Sequence, residues 1–292
     1  MNRLALLAAL GVLCALAPMP CAAQPPTDDL ERLVLIDGKT LTGWQATESS
    51  LTAATLDGVE AFRFALAVDW KSGEQNYPIG WPRISQEIRS GDWRKWEQIH
   101  LRVLARTDAG PFPKEPLGVT ISSEGRNAGW EKEAQPLQAG QWQDFTFDLR
   151  DLGDAGKVRS IGVFVSDASY ADGAKLEFYI SRLELLQYRQ PTLMAFRPVA
   201  RVAFADAKAV PLTVQMLGVA AGATAPVKIA LTGEQGAIAS HVAQAAEGET
   251  QLSLPLPGSL PPGEYTLTVS VGTRSLSERV KLIASPWQEA AR

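Results

Sequence analysis

The chain has 292 residues, with 28 Lys and Arg against 32 Asp and Glu for a formal charge of −4, and it is 46% hydrophobic and 21% charged. Values so close to the globular average exclude wholesale disorder and fibrous repeats, and the mild negative balance lacks the basic footprint needed to bind nucleic acid. At about 150 residues per domain, the length accommodates roughly two domains.

The N-terminal segment reads as a secretory signal peptide. Arg3 supplies a positive start, residues 4–17 form an unbroken apolar run, and Cys21 and Ala23 are small residues preceding a cut after Ala23. The apolar run is shorter than the roughly 20 residues that span a bilayer, and no later segment reads as a transmembrane helix. Acylation of Cys21 is the alternative, but Pro18, Met19 and Pro20 make a poor lipobox. Both cysteines, Cys14 and Cys21, lie within residues 1–23, so cleavage leaves no thiol for a nucleophile or a metal site. The expected destination is the periplasm or the extracellular space.

From Leu33 onward the apolar residues recur with period two. Phe62, Phe64, Leu66 and Val68 alternate with other residues, as do Ile99, Leu101, Val103 and Ala105, and then Leu117, Val119 and Ile121. The pattern returns at Phe145, Phe147 and Leu149, at Ile161, Val163 and Val165, and at Leu176, Phe178 and Ile180. Turn pairs such as Asp57-Gly58 and Asp172-Gly173 separate these runs. Short alternating strands without amphipathic helices between them predict an all-β sandwich over residues 30–188.

Residues 189–198 hold Pro191 and Pro198 and show neither period, which predicts an interdomain linker. Beyond it the composition shifts towards Ala, Val, Gly, Thr and Pro. Six short strands are expected within 199–285, near 200–204, 212–216, 227–231, 251–256, 265–271 and 277–283. Together with the Pro261-Pro262-Gly263-Glu264-Tyr265 run, they suggest a smaller immunoglobulin-like sandwich without a disulfide.

Four stretches of the first domain carry a resemblance: DWRKWEQIHLRV at 92–103, LQAGQWQDFTFDL at 137–149, VRSIGVFV at 158–165 and FYISRLEL at 178–185. In that order they resemble the galactose-binding-like jelly rolls used as carbohydrate-binding modules in secreted bacterial proteins. The resemblance implies a jelly roll and a polysaccharide or glycan ligand. Many such modules hold a structural calcium through an Asp on the last strand and an early carboxylate. Ser181 stands at that Asp position here and does not support a structural calcium, which Asp37 as an oxygen ligand leaves open.

Sugar recognition needs flat apolar platforms with polar groups beside them, which Trp and Tyr supply. Seven of the eight tryptophans precede residue 189. Trp44, Trp93, Trp96 and Trp142 flank core strands and read as structural. Trp70, Tyr77, Trp81 and Trp130 sit in loop-like segments and read as ligand platforms, with Arg83 and Arg102 as hydrogen-bonding partners. A lid over the core edge is the structural alternative for each Trp. His100, Arg102 and Arg106 alternate with the core residues of their strand and so face away from the interior, as do Thr146 and Asp148, and Glu177, Tyr179 and Ser181. Such a face suits hydroxyl or carboxylate recognition, and a plain solvated face is its alternative.

With only His100 and His241 in the chain, no Ser/His/Asp set falls in one neighbourhood by motif, and no phosphate loop or zinc-protease motif occurs. Carboxylate pairs such as Glu131 with Glu133 leave glycoside hydrolysis open as a lesser reading. The sequence therefore favours a secreted, non-catalytic glycan-binding protein without a cofactor. A cell-envelope protein partner is the alternative, because Trp, Tyr and Arg also form protein hot spots.

Overall fold

The computed structural model describes residues 30–71, 81–89, 91–124, 129–258 and 260–286. The signal segment, both cysteines and Tyr77 lie outside the described residues. The strands of the first unit are β1 (Leu30–Ile36), β2 (Trp44–Thr47), β3 (Ser50–Leu56), β4 (Val59–Ala67), β5 (Arg83–Glu87), β6 (Gln98–Thr107), β7 (Gly118–Ser123), β8 (Trp130–Glu133), β9 (Trp142–Asp148), β10 (Val158–Phe164) and β11 (Lys175–Tyr188).

These strands form two antiparallel sheets. One runs β3-β4-β11-β6-β9, with β1 extending the β4 edge along the second half of β11; the other runs β2-β5-β10-β7-β8. From β4 onward the chain crosses repeatedly between the sheets, which is the winding of a jelly roll. The alternating apolar residues meet between the sheets: Phe62, Phe64, Ile99, Leu101 and Phe178 from one, Ile84, Ile121 and Ile161 from the other, all at most 1% exposed. Burying that face drives the two sheets together, and the same period-two geometry turns the intervening polar residues outward.

One irregularity decides what the outer face carries. The register of β11 against β6 shifts between Ile180 and Arg182, so Ser181 is an inserted residue. Before this bulge the core residues of β11 are Leu176, Phe178 and Ile180; after it they are Leu183 and Leu185. Arg182 and Glu184 are therefore placed on the outer face.

The second unit contains β12 (Thr192–Pro198), β13 (Val202–Phe204), β14 (Ala209–Leu217), β15 (Ala225–Gly233), β16 (Gly236–Ala245), β17 (Gly248–Pro255), β18 (Gly263–Val271) and β19 (Arg274–Ile283). A three-stranded sheet, β12-β14-β17, and a five-stranded sheet, β13-β19-β18-β15-β16, enclose a separate apolar core that includes Leu212, Val214, Val227, Ile229, Leu267 and Val269.

The expected linker is corrected here: residues 192–198 pair with β14 as strand β12, leaving only 189–191 between the units. A bulge between Leu193 and Ala195 breaks the alternation that would have marked the strand. Strand β16 also escaped the sequence pattern. It is an edge strand paired only with β15, and most of its side chains are solvated, so no apolar stripe was required of it. Glu97 joins the units, its Oε2 accepting the Tyr188 N–H at 2.8 Å and its Oε1 the Gly218 N–H at 2.8 Å.

Candidate functional site

The outer face of the six-stranded sheet holds a hollow of about 720 Å³. Its floor comes from three adjacent strands. His100 and Arg102 project from β6, Arg182 and Glu184 from β11, and Asp144 and Thr146 from β9. Strand pairing fixes the layout: Arg102 stands between Arg182 and Asp144, and His100 stands between Glu184 and Thr146. Leu30, Arg32 and Lys39 form one side, and Met194 and Arg274 from the second unit reach its rim.

Charge pairing within the hollow is dense. Glu184 is fully buried, yet its carboxylate accepts from the Arg32 guanidinium and lies 3.1 Å from His100 Nδ1 through Oε1. The other ring nitrogen, Nε2, lies 2.9 Å from Asp144 Oδ1. Both contacts are hydrogen bonds at once only when both nitrogens carry protons, because carboxylates only accept. Burial alone would raise the Glu184 pKa. The bond from His100 and the charges of Arg32, His100 and Arg182 outweigh it, and the carboxyl is held below its ordinary range.

Arg102 is differently placed. Its guanidinium lies 5.7 Å over the Trp142 ring and has no carboxylate partner among the described residues, since Asp144 is turned to His100. Arg102 Nε, Ser181 Oγ and Glu184 Oε2 are buried and without hydrogen-bond partners. Further along the same face Ala61, Leu104 and Tyr179 pack with Trp142 into a small apolar cluster, and Arg63 pairs with Glu177, which also accepts the Tyr179 hydroxyl at 2.9 Å.

Among the described residues expected to bind ligand, only Arg102 lines this hollow. Trp130 belongs to the core layer, 9% exposed, with its Nε1–H donating to Asp151 Oδ1 at 2.6 Å and the Lys132 ammonium over its ring. In β8 it stands opposite Ile121, whose side chain faces inward, and it lines a second hollow of about 260 Å³ with Lys132 and Asp151. Trp70 and Trp81 are exposed, at 44% and 52%, but lie where β4 ends and β5 begins, away from the hollow. Trp70 Nε1–H is tied to the Asp167 and Tyr170 carbonyls, while Trp81 rests against Phe164 at 5.6 Å. Arg83 opens β5 beside Thr47 and Phe164 on the other sheet. Trp44, Trp93 and Trp96 are buried in the core, as their flanking positions suggested.

The face expected from parity on β6 is present in His100 and Arg102. Arg32, Asp144, Arg182 and Glu184 were not singled out as ligand residues. For the last two, the signal was the switch of core parity from Ile180 to Leu183. Ser181 offers one neutral hydroxyl at the bulge, and Asp37 Oδ1 already accepts the Lys39 and Thr40 N–H groups at 2.8 and 3.0 Å. Among the described residues no group of three or more His, Cys, Asp or Glu is arranged to hold a metal, and no helix is long and apolar enough to cross a membrane.

No protein-family model matches the chain, and no curated protein matches it. Solved structures do match. A family 11 carbohydrate-binding module of a cellulosomal cellulase of Clostridium thermocellum is 11% identical over 53% of this chain and 94% of its own, with a TM-score of 0.36. A low-affinity xylan-binding module from Roseburia intestinalis is 9% identical over 54% of this chain and 96% of its own, with a TM-score of 0.31. A β-1,2-glucanase from Parabacteroides distasonis is 12% identical over 84% of this chain but only 37% of its own, with a TM-score of 0.37.

Proposed function

We propose that the protein is a secreted, non-catalytic glycan-binding protein whose ligand lies in the hollow on the outer face of the six-stranded sheet. The observation that carries this reading is the row of hydrogen-bonding groups on three neighbouring strands. Arg102, Arg182, Asp144, Thr146 and Glu184 all line one open space, and two buried atoms among them, Arg102 Nε and Glu184 Oε2, lack a hydrogen-bond partner. An unmet buried polar group costs about 1–3 kcal/mol, which a hydroxyl-rich ligand can recover. The Tyr188 ring and the Leu30 and Leu186 side chains, which line the hollow, add apolar surface for the CH faces of a sugar.

Export rests on the signal-like segment at residues 1–23, and the periplasm or extracellular space is the corresponding location. The second unit, read as immunoglobulin-like, serves as a spacer that closes one end of the hollow. Affinity electrophoresis of the full chain through gels containing a panel of polysaccharides tests the reading. Retardation that Arg102→Ala weakens and Trp81→Ala leaves intact is expected. Retardation lost only in Trp81→Ala would move the site to the other sheet, and no retardation on any polysaccharide would overturn the reading.

A further inference from the structure

Arg102 and Arg182 are direct cross-strand neighbours at the centre of the sheet. Like charges directly opposite each other destabilise a sheet. Here the carboxylates within reach are committed elsewhere. Asp144, the partner of Arg102 on its other side, is bonded to His100, and Glu184 accepts from Arg32 and His100, leaving Arg182 Nη1 3.8 Å from its second oxygen. At the rim, Arg274 adds a third guanidinium with no carboxylate partner among the described residues.

From this arrangement we infer that the hollow selects an acidic glycan, with the carboxylate of a uronic acid residue seated between the Arg102 and Arg182 guanidiniums. This rests on the glycan-binding reading of the same hollow. A guanidinium presents two parallel N–H donors that match a planar carboxylate, and two such forks on adjacent strands can clamp one anion from both sides. Glu184 is fully buried at the floor, its second oxygen 3.8 Å from Arg182 Nη1. The chain as a whole carries a charge of −4, so attraction to a polyanion has to come from a local site and not from the overall charge.

Isothermal titration of the full chain with polygalacturonate oligosaccharides, with the same oligosaccharides after carboxyl reduction, and with sulfated dextran oligosaccharides tests this. The acidic oligosaccharide should bind, and carboxyl reduction should weaken it by about tenfold or more, the loss of one charge-assisted pair. Arg102→Gln and Arg182→Gln should each weaken the acidic ligand to a similar degree and by a larger factor than they weaken the reduced one, with circular dichroism confirming that both variants fold. Arg182→Lys should recover only part of the binding, because an ammonium lacks the fork. Equal binding of the acidic and reduced forms would overturn the acidic preference while leaving glycan binding standing. Equal binding of sulfated dextran would overturn the carboxylate clamp in favour of general anion attraction. Absence of binding to every oligosaccharide, neutral ones included, would remove both readings together.

Discussion

Glu184 and His100 face each other across β11 and β6, the Oε1 of one 3.1 Å from the Nδ1 of the other, and the carboxylate is fully buried while the ring reaches on to Asp144. A charge taken out of water in this way is tolerated only because Arg32 and His100 meet it.

Removing that carboxylate should be costly for the fold. Glu184→Ala leaves Arg32 and His100 facing a void, and a loss of about 3–5 kcal/mol is expected by chemical denaturation. The acid limb carries a second signature. The folded pKa of Glu184 lies below its ordinary value, so it contributes stability above the ordinary carboxylate range and loses it as the pH falls through the folded value. Glu184→Gln should therefore show a flatter decline of stability on acidification than the wild type. Superimposable acid limbs would show that this ion pair is not what acid disrupts.

Asp167 behaves in the opposite sense. It is 1% exposed, and burial pushes its carboxyl up from 3.8 to about 6; a backbone hydrogen bond from Asp69 opposes the rise, and the charges of Glu48 and Asp69 add to it. A carboxyl whose folded pKa is raised binds more protons folded than unfolded, so stability falls as the pH climbs from about 4 to about 6, and the penalty is complete above that window. Asp167→Asn removes the penalty without changing the shape. It should stabilise the protein at neutral pH by roughly 1–3 kcal/mol and give no gain below about pH 4. Thermal melts at the two pH values read the difference, and an equal effect at both would argue against titration of this group.

The sandwich and the inward rows of β4, β6, β7, β9 and β10 were legible because burial on one sheet face imposes a period of two on the chain. The polar face of β6 followed from the same rule, since His100 and Arg102 are the residues that Ile99, Leu101 and Val103 leave outside. What defeated the pattern was the pair of bulges. In β11, Ser181 shifts the parity, so Glu184 and Arg182 occupy the face that a continuous strand would have given to Leu183. In β12 the irregularity at Leu193 hid a strand inside an apparent linker. The tryptophans differ for another reason: loop-like neighbours do not report burial, and Trp130 stands in β8 opposite the inward-facing Ile121.

Glu97 offers a direct measure of how firmly the two units are joined. Its two oxygens accept the N–H groups of Tyr188, at the end of the first sandwich, and Gly218, in the second, at 2.8 Å each. In Glu97→Gln one of those acceptors becomes an NH₂ group facing an N–H donor, leaving a buried donor unmet at a cost of about 1–3 kcal/mol. The short connection at 189–191 should then become more readily cut by proteases that act after basic residues, at Arg189, while each sandwich stays resistant. Unchanged cleavage kinetics would mean that Glu97 does not hold the junction.

The two contrasting tryptophans separate packing from recognition. Trp130 fills the core edge with its indole nitrogen bonded to Asp151, so Trp130→Ala opens a cavity and abandons that hydrogen bond. A loss of about 3–5 kcal/mol is expected on large-to-small truncation of such a ring. Trp81 is 52% exposed and, among the described residues, makes one ring contact, with Phe164, so Trp81→Ala should cost about 1 kcal/mol or less. Denaturant melts of the two variants should differ by several-fold in free-energy loss, with ligand affinity of the folded fraction preserved in both, because neither ring lines the hollow. A folded Trp130→Ala protein of nearly wild-type stability would contradict its place in the core, and a Trp81→Ala protein that folds but no longer binds would assign recognition to the opposite sheet.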